Sequence, residues 1–269
     1  MIADADRIAE FRLLHESGCF VMPNPWDAGS ARALAAMGFK ALATTSAGFA
    51  WSTGLPDNTL DLEQTLEHLR LVAGAVDLPV NADFQNGYAT QPEDIAVHVA
   101  LAAQTGVAGL SIEDFSGDPA APLFELGLAV ERVRAARAAL DESGTGLVLT
   151  ARSEGFVWGR PDIDDTIRRL AAYAEAGADC VYAPWITSLD AVAAIVRAVS
   201  PTPVNLLIHT PFTTVAEAAR IGVRRISVGG MLAKTAWRGF LAAAREISEQ
   251  GTFSQFADLP DVNALLDRS

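Results

Sequence analysis

The chain has 269 residues, 50% of them hydrophobic, which suits one barrel-sized domain with a large core. A net charge of −13 argues against nucleic acid or an anionic membrane surface as partner, and no stretch approaches the roughly 18 apolar residues of a membrane helix. Cys19 and Cys180 lie in apolar runs without CxxC spacing and read as core thiols; the acidic start, 1–6, has no signal-peptide pattern, so the expectation is a cytoplasmic protein.

Short apolar runs alternate with longer helical ones. The first predicted strand, 19–23, leads to a helix over 27–37 that Gly38 closes. The second, 41–45, is followed by a glycine- and proline-containing loop and a helix over 60–75. The third, 79–83, precedes a helix opened by Pro92 and ending near Gly106. The fourth, 108–112, is followed by a helix over 129–141; the fifth, 146–151, by one over 163–176. The sixth, 179–183, is followed by a helix over 189–199; the seventh, 203–208, by one over 214–221. The eighth, 225–228, leads to a last helix over 234–248. Strands apolar along their whole length fit a parallel sheet covered on both faces. Eight strand–helix units close naturally as a single (β/α)8 TIM barrel at roughly 250 residues, with a doubly wound open sheet as the other arrangement. The barrel is assigned to 1–250. The remainder, 251–269, reads as a C-terminal extension whose Phe253, Phe256, Leu259, Val262 and Leu265 pack on the barrel or on a partner subunit.

Active sites of such barrels lie where the strands end. The strand ends carry Asn24, then Thr45, Ser46 and Ala47 with Asp57 further along, then Asp83 and Gln85, Glu113 and Asp114, Arg152 and Glu154, Trp185, His209, and Gly229 with Gly230. Asp57, Asp83 and Glu113 arrive from three strands, and acids that converge without a basic partner would hold a hard cation such as Mg2+. Bound to a 2-oxo acid, such an ion stabilises the enolate left when the neighbouring bond breaks. Arg152 is suited to fork onto a carboxylate or phosphonate. Glu113 and Asp114 are adjacent and point opposite ways, with Glu113 expected inward. Asn205 on the seventh strand joins the substrate-binding set. The competing roles are a turn or cap for Asp57, a turn for Asp83, a structural role for one of Glu113 and Asp114, and a structural ion pair for Arg152.

Several segments resemble one family in the right order. VMPNPWDAGSARALAAMGFKALATTSAGFAWSTGLPD (21–57), PVNADFQNGY, LSIED, LTARSE and DDTIRRLAAYAEAGAD resemble segments of the isocitrate lyase/phosphoenolpyruvate mutase superfamily, over about residues 8–245. The resemblance implies a (β/α)8 barrel acting on a small carboxylate substrate, with Thr45, Ser46 and Ala47 holding the substrate carboxylate. It implies Asp57 near the reacting centre, Asp83 and Glu113 in an Mg2+ shell, and Arg152 on the substrate's anionic groups. It also implies a homo-oligomer, dimer or tetramer, built with a swapped C-terminal helix. The departures are specific. Asn81 stands where the family motif has its first acid, and a neutral amide oxygen is a weaker Mg2+ ligand. The segment FSGDPAAPLFELG has no counterpart of the lyase cysteine loop, and Pro184 stands where relatives carry Glu or His.

The expected activity is therefore that of a lyase or mutase working through an enolate. Two other functions remain open. One is a phosphosugar barrel, an aldolase or epimerase, with Gly229 and Gly230 as its phosphate turn. The lysines Lys40 and Lys234 are not placed inside strands for a Schiff base. The other is a non-catalytic ligand-binding barrel.

Overall fold

The computed structural model describes residues 5–267; the first four residues of the acidic start and the last two of the extension lie outside them. Eight strands form one parallel sheet: β1 (Phe20–Met22), β2 (Leu42–Ala43), β3 (Val80–Asp83), β4 (Gly109–Glu113), β5 (Val148–Arg152), β6 (Cys180–Tyr182), β7 (Val204–Leu207) and β8 (Arg225–Ser227). Sequence neighbours pair from β2 round to β8, and β8 pairs with β1. The seam between β1 and β2 is joined by one backbone hydrogen bond, from Ala43 N–H to the Pro23 carbonyl at 3.1 Å. Asn24 stitches the same place: its Nδ2 donates to the Thr44 carbonyl at 3.0 Å, and its Oδ1 accepts from the amides of Val228 and Gly229 at 2.8 and 2.9 Å. The molecule is a (β/α)8 barrel.

The helices are α1 (Ala5–Glu16), α2 (Ala28–Ala36), α3 (Ser46–Ser52), α4 (Leu62–Ala73), α5 (Pro92–Ala103), α6 (Leu126–Glu142), α7 (Ile163–Glu175), α8 (Leu189–Val199), α9 (Val215–Arg220), α10 (Met231–Gln250) and α11 (Val262–Leu266). Their starts follow local chemistry. Asp27 with Ser30, Asp61 with Gln64 and Thr214 with Glu217 form reciprocal caps on α2, α4 and α9, and Pro92 opens α5. The helices that alternate with the strands turn apolar residues such as Leu69, Val99, Val133, Leu170 and Ile195 onto the outer face of the sheet, where Val80, Leu110, Leu149, Val181 and Leu206 are buried.

Three helices fall outside the sequence expectation, among them the short α11 in the C-terminal extension. Helix α1 precedes the first strand and plugs the lower mouth: Phe11 is fully buried, and His15 Nε2 meets the Arg225 guanidinium at 3.2 Å inside the barrel. Helix α3 occupies the expected loop after β2. Thr45 caps it, accepting from Gly48 N–H at 3.3 Å, and Phe49 stacks on buried His68 at 3.9 Å and 5°. Beyond α10 the chain folds back because the Glu246 carboxylate accepts from Thr252 Oγ1 and Ser254 N–H at 2.6 Å each and from Gln255 N–H at 3.1 Å. Among the described residues, no helix is long and apolar enough to cross a membrane.

Candidate active site

A cavity of about 210 Å3 opens where the strands end, and Asp57, Asp83, Glu113, Arg152 and Glu154 all line it. Alternation along a strand puts Asn81 and Asp83 of β3, Ser111 and Glu113 of β4, and Thr150 and Arg152 of β5 on the inner face. The Arg152 guanidinium lies 2.8 Å from Asp83 Oδ1, 3.1 Å from Glu113 Oε2 and 2.9 Å from Glu154 Oε1. Its plane also faces the Tyr182 ring at 5.1 Å. One cation thus serves three carboxylates. Burial alone would lower the arginine's pKa, but Glu154, Glu113 and Asp83 outweigh it and hold the pKa well above the ordinary value. Burial drives the Glu113 pKa well above the carboxylate range, and drives Glu154 up to about 7, with Arg152 opposing in both cases.

The acids are held rigidly. Asp83 Oδ2 accepts from Ser46 N–H at 3.0 Å and Ser46 Oγ at 2.8 Å, and the Asp83 amide donates to Thr44 Oγ1 at 2.9 Å. Asp114 points away from the cavity, as alternation requires. It accepts from Tyr173 Oη at 2.6 Å, Arg169 at 3.3 Å and the Glu154 amide at 2.8 Å. It is therefore the anchor of Glu154. Asp57 sits exposed at the rim, accepting from the Asn58 amide at 2.8 Å. Thr45, Ser46 and Ala47 line the same cavity. Asn205 lies on its floor with both ends of the amide engaged: Oδ1 accepts from Arg225 Nε at 2.8 Å and Nδ2 donates to Ser227 Oγ at 2.9 Å.

For a metal ion, the side chains split two ways. The carboxylates converge on the guanidinium, and among the described residues no three His, Cys, Asp or Glu side chains are spaced to share an ion. In kind the donors do fit a hard cation. They are all oxygens, and Asn81 Oδ1 is buried beside them without a hydrogen-bond partner.

The glycine pair after β8 has a packing role. The amides of Val228 and Gly229, which would cradle a phosphate, are already given to Asn24 Oδ1. A Cβ on Gly230 would come within 2.9 Å of the Trp51 ring. This removes the observation on which a phosphosugar function rested.

Three groups gained no role from the sequence. Glu154 stands two residues beyond Arg152, a spacing that could have placed it on the same face. Arg225 is 2% exposed, donates to Asn205, His15 and Thr150, and among the described residues has no acid in ion-pair range. An arginine opening an apolar strand, directly after Arg224, was the available signal. Lys234 lines the rim, with Nζ 5.4 Å from the Trp51 ring centre.

A (β/α)8 barrel that gathers an arginine and converging acids at its upper rim carries its polar groups where barrel enzymes have their active sites. Residues 11–248 match the profile of the phosphoenolpyruvate phosphomutase family, and the chain belongs to that family. It is 34% identical over 242 residues to an uncharacterized protein of Mycobacterium tuberculosis, covering 89% of each chain. It is similar to the structure of a candidate lyase/mutase from Burkholderia cenocepacia J2315 with a TM-score of 0.93 and 46% identity, covering 97% of this chain and 95% of that one. It is similar to oxaloacetate acetylhydrolase in complex with its product oxalate at a TM-score of 0.88 and 26% identity, covering 99% and 94%.

Proposed function

We propose that this protein cleaves or rearranges a C–C or P–C bond beside a small 2-oxo or 2-hydroxy carboxylate, through an enolate. The observation that carries this is Arg152 lodged within 3.1 Å of acids from three chain segments on one cavity. Breaking the bond leaves an electron pair on the carbon next to the oxo group, and the charge spreads onto the oxo oxygen. Fixed positive charge there lowers the barrier because nothing need reorganise as the charge grows. Arg152 provides it, oriented beforehand by Asp83, Glu113 and Glu154. Thr45, Ser46 and Ala47 line the place that receives the substrate carboxylate, where Ser46 N–H and Oγ, now held by Asp83 Oδ2, would be shared with the substrate, and Asn205 supports the floor. Asp57, at the rim, is the group that moves a proton. Asp83, Glu113 and Asn81 would hold Mg2+, which when bound supplies further positive charge to the developing oxyanion.

The test is turnover of oxaloacetate, malate and phosphonopyruvate, each with and without Mg2+. Arg152→Lys and Asp83→Ala are each expected to lower kcat/KM by at least about 100-fold, the size of effect seen when a preorganised charge partner is lost. Wild-type rates retained by both variants would end the proposal. Oxalate binding without turnover of any compound would favour the non-catalytic barrel.

A further inference from the structure

The cavity wall contributed by the loops after β5, β6 and β7 differs in chemistry from the acid belt. Val157, Trp158, Pro184, Trp185, Leu207 and His209 form it. Trp158 is fixed by stacking face to face on Phe115, at 4.0 Å and 6°. Phe115 belongs to a tight loop that bridges to Leu123, closed by Ser116 N–H donating to the Pro122 carbonyl at 2.9 Å. Trp185 has φ of 67°, a left-handed conformation that bulky side chains avoid. Its indole is 53% exposed and stacks on His209 at 4.9 Å and 19°, with Phe212 behind the imidazole at 6.1 Å. Burial, with the Lys234 charge nearby, lowers the His209 pKa and so favours the uncharged ring. Between Trp158 and Trp185 the lining side chains Val157, Pro184 and Leu207 carry no charge, so a second carboxylate placed there would have no cation among them. Arg152 is already shared among three acids, and Lys234 stands over Trp51 at the edge of the wall next to His209, whose pKa its charge helps to lower.

A strained backbone that leaves a large apolar ring in water carries two costs, and both are offset when the ring packs on a ligand. We propose that this wall is a specificity subsite for a flat apolar substituent, an aromatic ring above all, carried by the 2-oxo or 2-hydroxy acid, and that Trp185 is its specificity-determining residue. The inference rests on the acid and Arg152 belt being the carboxylate pole.

Titration calorimetry with oxalate, pyruvate and phenylpyruvate tests it. The wild type should bind phenylpyruvate at least about 10-fold more tightly than pyruvate, the scale of one well-packed aromatic contact. Trp185→Ala should remove that preference and leave oxalate affinity within about 2-fold, and Trp185→Phe should restore most of it. Because the side chain is half exposed, both variants should fold, which melting curves would check. Oxalate binding without a phenyl preference, or equal weakening of all three ligands by Trp185→Ala, would overturn the subsite and spare the carboxylate pole. Phenylpyruvate binding that depends on Trp185, with no binding of oxalate or pyruvate, would overturn the pole and keep the wall. No binding of any of the three would overturn both.

Discussion

Glu154 and Glu113 approach the same guanidinium in a buried place, so the fold favours a proton on one of them. For Glu154 this has a measurable consequence. Its pKa, near 4.3 in an unfolded chain, is raised to about 7 by burial, only partly opposed by Arg152. The folded state therefore holds the proton more tightly than the unfolded state. The stabilisation this gives is complete below the unfolded value and is lost as pH rises through about 7. Glu154→Gln keeps an acceptor for Arg152 and removes the ionisation. Between pH 5 and pH 8 the wild type should lose up to about 3 kcal/mol that the variant keeps, read as a flatter dependence of melting temperature on pH. Parallel curves for the two proteins would refute this. At this scale Asp83, Glu113 and Arg152 were legible because each ends an apolar strand. Asn205 and Arg225 are interior residues whose partners come from α1, β5 and β8, and no local pattern announces such pairings.

The element that shapes the acid belt from behind is the segment between β3 and α5. The Arg132 guanidinium, 1% exposed, donates to the carbonyls of Asn86, Ala89 and Thr90 and faces the Phe124 ring at 4.2 Å. That clamp holds Gln85 and Tyr88 at positive φ, and the Gln85 carbonyl accepts the Glu113 amide at 2.9 Å. Arg132→Met would keep apolar bulk and leave three carbonyls without their donor. The expected cost is about 3 kcal/mol in denaturant unfolding, with faster hydrogen exchange confined to this segment. A loss under about 1 kcal/mol would show that water replaces the clamp. The alternation of strands and helices was readable because strands buried on both faces form continuous apolar runs bounded by caps. Helix α1 was not readable, since the apolar positions in ADRIAEFRLLHE are broken by charges, and only the barrel mouth gives Phe11 a place to go. Helix α3 was hidden by its glycine and shortness, and it depends on the Thr45 cap and the Phe49–His68 stack.

For the molecule as a whole, the outer face of α10 and the following tail remain apolar and exposed, including Trp237, Phe240, Leu241, Phe253, Phe256, Leu259 and Val262. Glu246 fixes the tail against α10 without covering these side chains. Patches of this kind mark contact surfaces, and self-association into a dimer or tetramer is the expected outcome. Light scattering on the full chain should give a multiple of the monomer mass, and removal of 251–269 should lower it or weaken the assembly. A monomer at micromolar concentration would refute this. The order of strand ends made the fold and the family legible, whereas loop side chains such as Trp158 and Trp185 gave no local signal, because their stacking partners Phe115 and His209 are distant in sequence. The most direct test of the central claim is a crystal structure with Mg2+ and oxalate, a mimic of the pyruvate enolate. The account requires oxalate in the cavity against Arg152, with Asp83 and Glu113 beside it. Oxalate bound elsewhere, or Arg152 unchanged and out of its reach, would contradict it.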